Sequence, residues 1–143
     1  MAEKTVRPKM SPDEYRKVLE QVNLKSIEMD ACSMKTRREK LGKNMKVDVG
    51  HKTSYQIEED SRATVFSDYE FVATKSTKKE FAAKITASYR VILVAESPFS
   101  EEFMDIYSEV NLQMNTWPYF RELVHNMIQR AGLPPLTLPF LRS

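Results

Sequence analysis

Between Met45 and Glu58 the chain alternates without a fault: Met45, Val47, Val49, His51, Thr53, Tyr55 and Ile57 hold one phase, and Lys46, Asp48, Lys52, Ser54, Gln56 and Glu58 the other. A period of two sustained this long belongs to an extended strand with one face toward a core and one toward water. A helix would scatter the same side chains around its axis. Because antiparallel sheets are the kind that leave one face wet, the strand commits the chain to antiparallel partners.

Those partners are legible. Val65, Tyr69, Phe71 and Ala73 repeat the pattern, Lys75-Ser-Thr-Lys-Lys79 reads as a turn, and Ile85, Ala87, Tyr89, Val91, Leu93 and Ala95 then alternate with Thr86, Ser88, Arg90, Ile92, Val94 and Glu96. From Val91 both faces are apolar, which predicts a helix on one side and another subunit on the other. An earlier strand is irregular: Val22 and Leu24 take one phase and Ile27, Met29 and Ala31 the other, which a bulge or a late start would reconcile. Short spacing makes the second, third and fourth strands antiparallel neighbours, whereas the basic stretch after the first is long enough to cross over.

Helices flank these strands. Ser11-Pro12-Asp13-Glu14 supplies a cap, a first-turn proline and a capping box, with Tyr15, Val18, Leu19 and Val22 on one face of the helix that follows. Ser97 to Glu102 opens a second short helix carrying Phe103, Ile106, Tyr107 and Val110, and residues 111–116 read as a link. Asn115 or Thr116 is the expected cap of the last helix, Pro118 its first turn and Gly132 its stop. Its stripe of Phe120, Leu123, Val124, Met127, Ile128 and Ala131 is expected to be core. Beyond it Leu133, Pro134, Pro135, Leu136, Leu138, Pro139, Phe140 and Leu141 form an apolar run that prolines hold extended, either covering the sheet or lining a groove. The expected fold is α+β: a four-stranded antiparallel sheet with a short N-terminal helix and two C-terminal helices packed on one face. Residues 1–10 are expected to be a flexible N-terminus and 11–143 a single domain.

Composition excludes several classes. A chain of 143 residues, 41% hydrophobic and 29% charged, has the make-up of one soluble domain. It holds no apolar run of bilayer length, and Met1 to Lys9 lacks the apolar core of a signal peptide, so a cytoplasmic location without membrane insertion is expected. The single cysteine, Cys32, can form neither an internal disulfide nor a zinc site, and is expected to be a small buried hydrophobe. His51 lies within a strand and His125 within a helix, neither beside a nucleophile, and three glycines build no phosphate cradle. The chain is therefore read as a non-enzyme, with no cofactor and no metal.

A net charge of +2 gives no global reason to bind nucleic acid or membrane. Locally, Lys35, Arg37, Arg38, Lys40, Lys43 and Lys46 face only Glu39. A solvated loop is the first reading and a contact to an acidic partner the second. No aromatic interleaves them, so nucleic acid is not an expected partner. Eight methionines, seven phenylalanines, six tyrosines and a tryptophan are adaptable material for a groove as well as for a core.

Two segments carry a resemblance: Trp117-Pro-Tyr-Phe-Arg-Glu122, and Ala131-Gly-Leu-Pro-Pro-Leu-Thr-Leu-Pro139. With the order of elements upstream, they resemble the SecB protein-export chaperones and their SecB-like relatives. The resemblance implies a cytoplasmic homotetramer, a dimer of dimers, holding unfolded polypeptide clients in surface grooves and in many bacteria passing them to the SecA motor for export. Relatives associated with toxin-antitoxin systems hold an antitoxin instead. On this reading client contact falls to Trp117 and Tyr119 at the helix start, Leu133, Leu136 and Leu138 in the tail, and Met34, Leu41 and Met45 flanking the crossover; core or subunit interface is the competing use. The export chaperones are strongly acidic where this chain is mildly basic, and Glu28, Asp30, Asp68 and Glu70 are the strand acids that could dock SecA. A non-chaperone oligomeric module serving fixed protein partners is the alternative from another class.

Overall fold

The computed structural model of the chain describes residues 10–42, 45–59, 61–75 and 80–135. Helix α1 (Pro12–Glu20) precedes strand β1 (Asn23–Thr36), a 3-10 turn (Arg38–Lys40) and strands β2 (Met45–Glu58), β3 (Arg62–Lys75) and β4 (Phe81–Val94). Helix α2 (Glu101–Ile106), a π-turn (Tyr107–Asn111) and helix α3 (Leu112–Arg130) then run on as one 30-residue helical element. The strands form one antiparallel sheet in the order β1-β4-β3-β2, which makes β1 and β2 its edges. The expected architecture is present: an α+β fold with the crossover between β1 and β2. Of the predicted Lys75–Lys79 turn, residues 76–79 lie outside the described residues.

Register follows from the alternation. Val47, Val49, His51, Tyr55 and Ile57 stand opposite Ala73, Phe71, Tyr69, Val65 and Ala63, so the apolar phase of β2 meets that of β3 on the helix-covered face. The irregular phase of β1 comes from two bulges, one between Leu24 and Ser26 and one between Met29 and Ala31. Each inserts one unpaired residue and so flips the alternation. Leu24, Ile27, Met29, Cys32 and Met34 thereby all stand opposite covered-face residues of β4. Cys32 nevertheless departs from the expectation of burial: it is exposed, because β1 is an edge strand and nothing roofs it at that point.

The covered face carries two clusters. One gathers Ala63, Val65, Val91, Leu93, Phe99, Phe103, Met104, Tyr107 and Leu112, with Tyr15, Val18, Leu19 and Val22 of α1 packed over it. Here the predicted cap is present: Ser11 Oγ accepts from the Glu14 N–H while Glu14 accepts from the Ser11 N–H, and Tyr15 stacks on Phe103 at 5.0 Å. The other cluster lies beneath α3 and comprises Tyr69, Phe71, Ala83, Ile85, Ala87, Tyr89, Trp117, Phe120, Val124 and Ile128.

The helix start predicted at Asn115 or Thr116 does not occur. Both side chains are taken by tertiary partners: Asn115 Oδ1 accepts from the Tyr107 hydroxyl, and Thr116 donates to the Leu112 carbonyl while joining Ser67 and Tyr69. The chain stays helical through them and Pro118 lies inside α3. The stop is as expected. Gly132 adopts φ +73°, and the N–H groups of Gly132 and Leu133 bond back to Gln129 and Ile128, a Schellman turn that returns Leu133 to the α3 cluster.

Candidate functional site

The apolar stripe of α3 divides in two. Phe120, Val124 and Ile128, at steps of four, are fully or almost fully buried on the sheet, whereas Leu123 and Met127, one residue behind, are only half-buried. Those two face a groove of about 370 Å³ between α3 and β1. Its apolar lining is Ile27 and Met29 from β1 with Leu123 and Met127; Tyr89 and Tyr119 contribute rings, and Glu122, Asn126 and Arg130 make it polar along α3. Met29 is 45% and Tyr119 51% exposed. The Arg130 Nε–H donates to Asn126 Oδ1 at 2.7 Å, so that edge is already ordered.

A polar chain fixes α3 over the sheet. The Tyr69 hydroxyl and the Ser67 hydroxyl reach Thr116 Oγ1 at 2.8 and 3.0 Å, and Ser67 Oγ lies 2.6 Å from His51 Nε2. His51 stacks on Tyr69 at 4.1 Å, and Tyr69 stacks in turn on Phe120 at 4.7 Å. Burial holds the His51 imidazolium below its ordinary range, partly offset by the charge of Asp68. Burial likewise raises the Tyr89 hydroxyl far above its usual range, with Tyr69, Cys32 and Glu122 adding to the effect. His51 is thus occupied in packing. Among the described residues no group of histidine, cysteine and carboxylate side chains could hold a metal ion.

The residues expected to contact clients are spread over different places. Tyr119 lines the groove. Trp117 is 8% exposed and belongs to the cluster beneath α3, against which Met34, Met45 and Leu133 are partly buried. Leu41 is half-buried next to the 3-10 turn of the crossover. Leu136 and Leu138 lie outside the described residues. Sequence reasoning missed Ile27, Met29, Tyr89, Leu123 and Met127. The available signal was an apolar phase on an edge strand together with a helix stripe broader than one sheet contact needs.

The crossover is less free than a solvated loop. The Arg37 guanidinium lies 4.3 Å over the Phe81 ring, Lys40 pairs with Glu80 at 2.7 Å, and Arg38 Nη2 donates to the Ala131 carbonyl at 2.8 Å, tying the crossover to the end of α3. Lys43 lies outside the described residues. On the opposite, open face of the sheet stand the four acids considered for docking SecA; two pair with basic side chains, and Glu28 accepts from the Ser26 hydroxyl at 2.9 Å. Arg90 Nε donates to both carboxylate oxygens of Asp30 at 3.0 and 3.1 Å, and Lys84 lies 3.5 Å from Glu70; Glu28 and Asp68 are exposed.

Comparison with known proteins gives a class of fold. No protein-family model and no curated protein matches the chain. Among solved structures the fold is that of a SecB-like chaperone. The protein concerned is Rv1957 of Mycobacterium tuberculosis, solved in complex with a ChAD peptide from the antitoxin HigA1 (Rv1956); the TM-score is 0.78 at 17% identity, over 91% of this chain and 98% of that one. A protein of unknown function from Streptococcus agalactiae matches with a TM-score of 0.50 at 14% identity, over 83% of this chain and 97% of the other.

Proposed function

We propose that this chain is a SecB-like chaperone that holds extended or unfolded polypeptide segments, with the β1–α3 groove as a principal contact. The observation that carries the reading is the groove itself, where Met29 and Tyr119 stand exposed beside half-buried Ile27, Leu123 and Met127. Burying the half of one such side chain that is still exposed contributes about 1 kcal/mol before the client's ordering is subtracted, a balance that suits reversible holding. The fold shared with Rv1957, which is solved with an antitoxin peptide, supports a polypeptide ligand and favours a dedicated client as the second reading. Passage to SecA has less support, since Asp30 and Glu70 are already paired with Arg90 and Lys84. We carry forward with this reading a single domain over 11–143, a homotetramer in the cytoplasm, and client contacts at Trp117, Leu133, Leu136, Leu138, Met34, Leu41 and Met45.

The test is light scattering of a chemically unfolded, aggregation-prone protein diluted into this one, with the particle mass measured alongside. The wild type is expected to suppress scattering at stoichiometric amounts as a particle near four chains. The double variant Met29→Ser, Tyr119→Ser should remain folded, losing about 1–3 kcal/mol for the buried halves of the two side chains, and lose most of the suppression. A wild type that leaves aggregation untouched ends the holdase reading; saturable binding to a single protein without such suppression establishes the dedicated one.

A further inference from the structure

The net charge of +2 conceals a division along the sheet. Where β2 turns into β3 and β4 runs into α2, the described residues include Glu58, Glu59, Glu96, Glu101 and Glu102, with Arg62 as their single cation. The end where β1 crosses over to β2 has the opposite sign. Lys40 is matched there by Glu80 and Lys84 by Glu70, while Arg37 lies on the Phe81 ring and Arg38 on the Ala131 carbonyl. Lys35, Lys46 and Lys75 remain, and among the described residues no carboxylate pairs with any of them.

This charge is held in place against its own repulsion. Lys35 stands directly opposite Lys84 on the neighbouring strand, a like-charged pairing that costs the sheet stability. Lys75 is half-buried, its stem laid so closely over Gly42 that a β-carbon there would stand 2.8 Å from Lys75 Cε. Its partner across the strands is Met45, and Lys46, the next residue of the same edge strand, is exposed. A long, flexible cation is thereby ordered beside an apolar side chain before anything binds.

We propose that the crossover end of the sheet, through Lys46 and Lys75, selects clients whose apolar segments carry aspartate or glutamate close by. The inference rests on the holdase reading and names the class of polypeptide held. Successive residues of β2 point to opposite faces, so Met45 lies on the side of Lys75 and Lys46 on the other. Because β2 is an edge, a chain laid across it against Met45 reaches both ammonium groups. Such attraction also gathers acidic chains before apolar contacts form. Nucleic acid fits less well: Phe81, the ring among these cations, already carries Arg37 at 4.3 Å and Lys84 at 5.5 Å from its centre, and so gives a base a poor stacking platform.

The test measures binding of three tetramethylrhodamine-labelled peptides by anisotropy. All share one sequence of leucine, tyrosine and alanine and differ only at two positions, which hold glutamate, glutamine or lysine. Wild type is expected to bind the glutamate peptide about threefold to tenfold more tightly than the glutamine peptide, the weight of two exposed ion pairs, and the lysine peptide most weakly. Raising the salt from about 50 mM to about 300 mM should compress that order. Lys46→Gln combined with Lys75→Gln should bring the glutamate peptide to the level of the glutamine one, whose affinity stays unchanged along with the unfolding midpoint and particle mass. Lys46→Glu alone, at an exposed position that leaves Lys75 and Gly42 untouched, should shift the preference toward the lysine peptide. Equal wild-type affinities for all three overturn this inference and leave the holdase reading standing. A loss of the glutamine peptide in step with the glutamate one in the double variant overturns it too, since the lysines would then be structural. If a deoxythymidine oligonucleotide displaces the glutamate peptide at lower concentration than the unlabelled peptide does, the cations belong to nucleic acid and the proposal falls. A wild type that binds none of the three removes the holdase reading and this inference together.

Discussion

The two ends of the covered face are built from the same sheet and finished differently. At the end holding Phe103, Met104 and Leu112, all fully buried, α1 and α2 lie over the strands together, and the apolar side chains left exposed there, Leu24 and Val110, stand on an edge strand and on the outside of the π-turn. At the other end α3 lies there alone, with Met29 and Tyr119 exposed at its flank. Four strands span about 14 Å between their outer axes, while a helix with its side chains is about 10–12 Å wide. One helix therefore cannot roof the sheet where two can. The groove is the strip left over, and it falls along β1 because the buried row of α3 packs toward β3 and β4.

The sharpest challenge to this comparison is to remove the central aromatic at each end. Phe103→Ala and Phe120→Ala should each cost about 3–5 kcal/mol, read by urea unfolding, because both rings are fully buried regardless of how the neighbouring edge is finished. A cost below about 1 kcal/mol for Phe120→Ala would mean that α3 is not a fixed wall. A smaller effect, about 1–3 kcal/mol, is expected for Thr116→Val, which keeps the shape but withdraws the oxygen shared by Tyr69 and Ser67. Hydrogen exchange should then speed up in α3 and leave α1 unchanged; equal acceleration in both would show that the two ends unfold as one.

The smallest effect concerns His51. Burial depresses its folded-state pKa, so below the unfolded value near 6.5 the unfolded chain binds more protons. Its contribution is complete above that pH and is lost as the pH falls through 6.5 toward the depressed value. His51→Asn should flatten the pH dependence of unfolding free energy in that window. An unaltered slope would assign the titration to other groups.

How far the sequence carried the fold depended on where each signal was kept. The phase of β2 is local and survives intact in the register with β3. In β1 the conflict of phases was visible, but the positions of its two bulges depend on pairing with β4. The continuity of α2 into α3 was hidden, since Asn115 and Thr116 look like caps until Tyr107, Ser67 and Tyr69 are found bonded to them. Trp117 and Tyr119 read alike as aromatic anchors, yet two positions along a helix turn one into the cluster and the other out to the groove. The groove was the least legible part, because it is defined by where a helix lies on a sheet.

The π-turn at Tyr107–Asn111 makes the groove a matter of counting. A π-turn carries one residue more than the α-helical path it interrupts, and one residue is about 100° of rotation for everything downstream. Removing a single residue there would leave every other side chain in the chain unchanged and still turn α3 about its own axis, carrying Phe120, Val124 and Ile128 off the sheet and Leu123 and Met127 out of the strip beside β1. Among chains sharing this fold, the interval between Phe103 and Phe120 therefore shapes the groove as much as the residues that line it, and length drift in that interval would move the groove before any substitution within it.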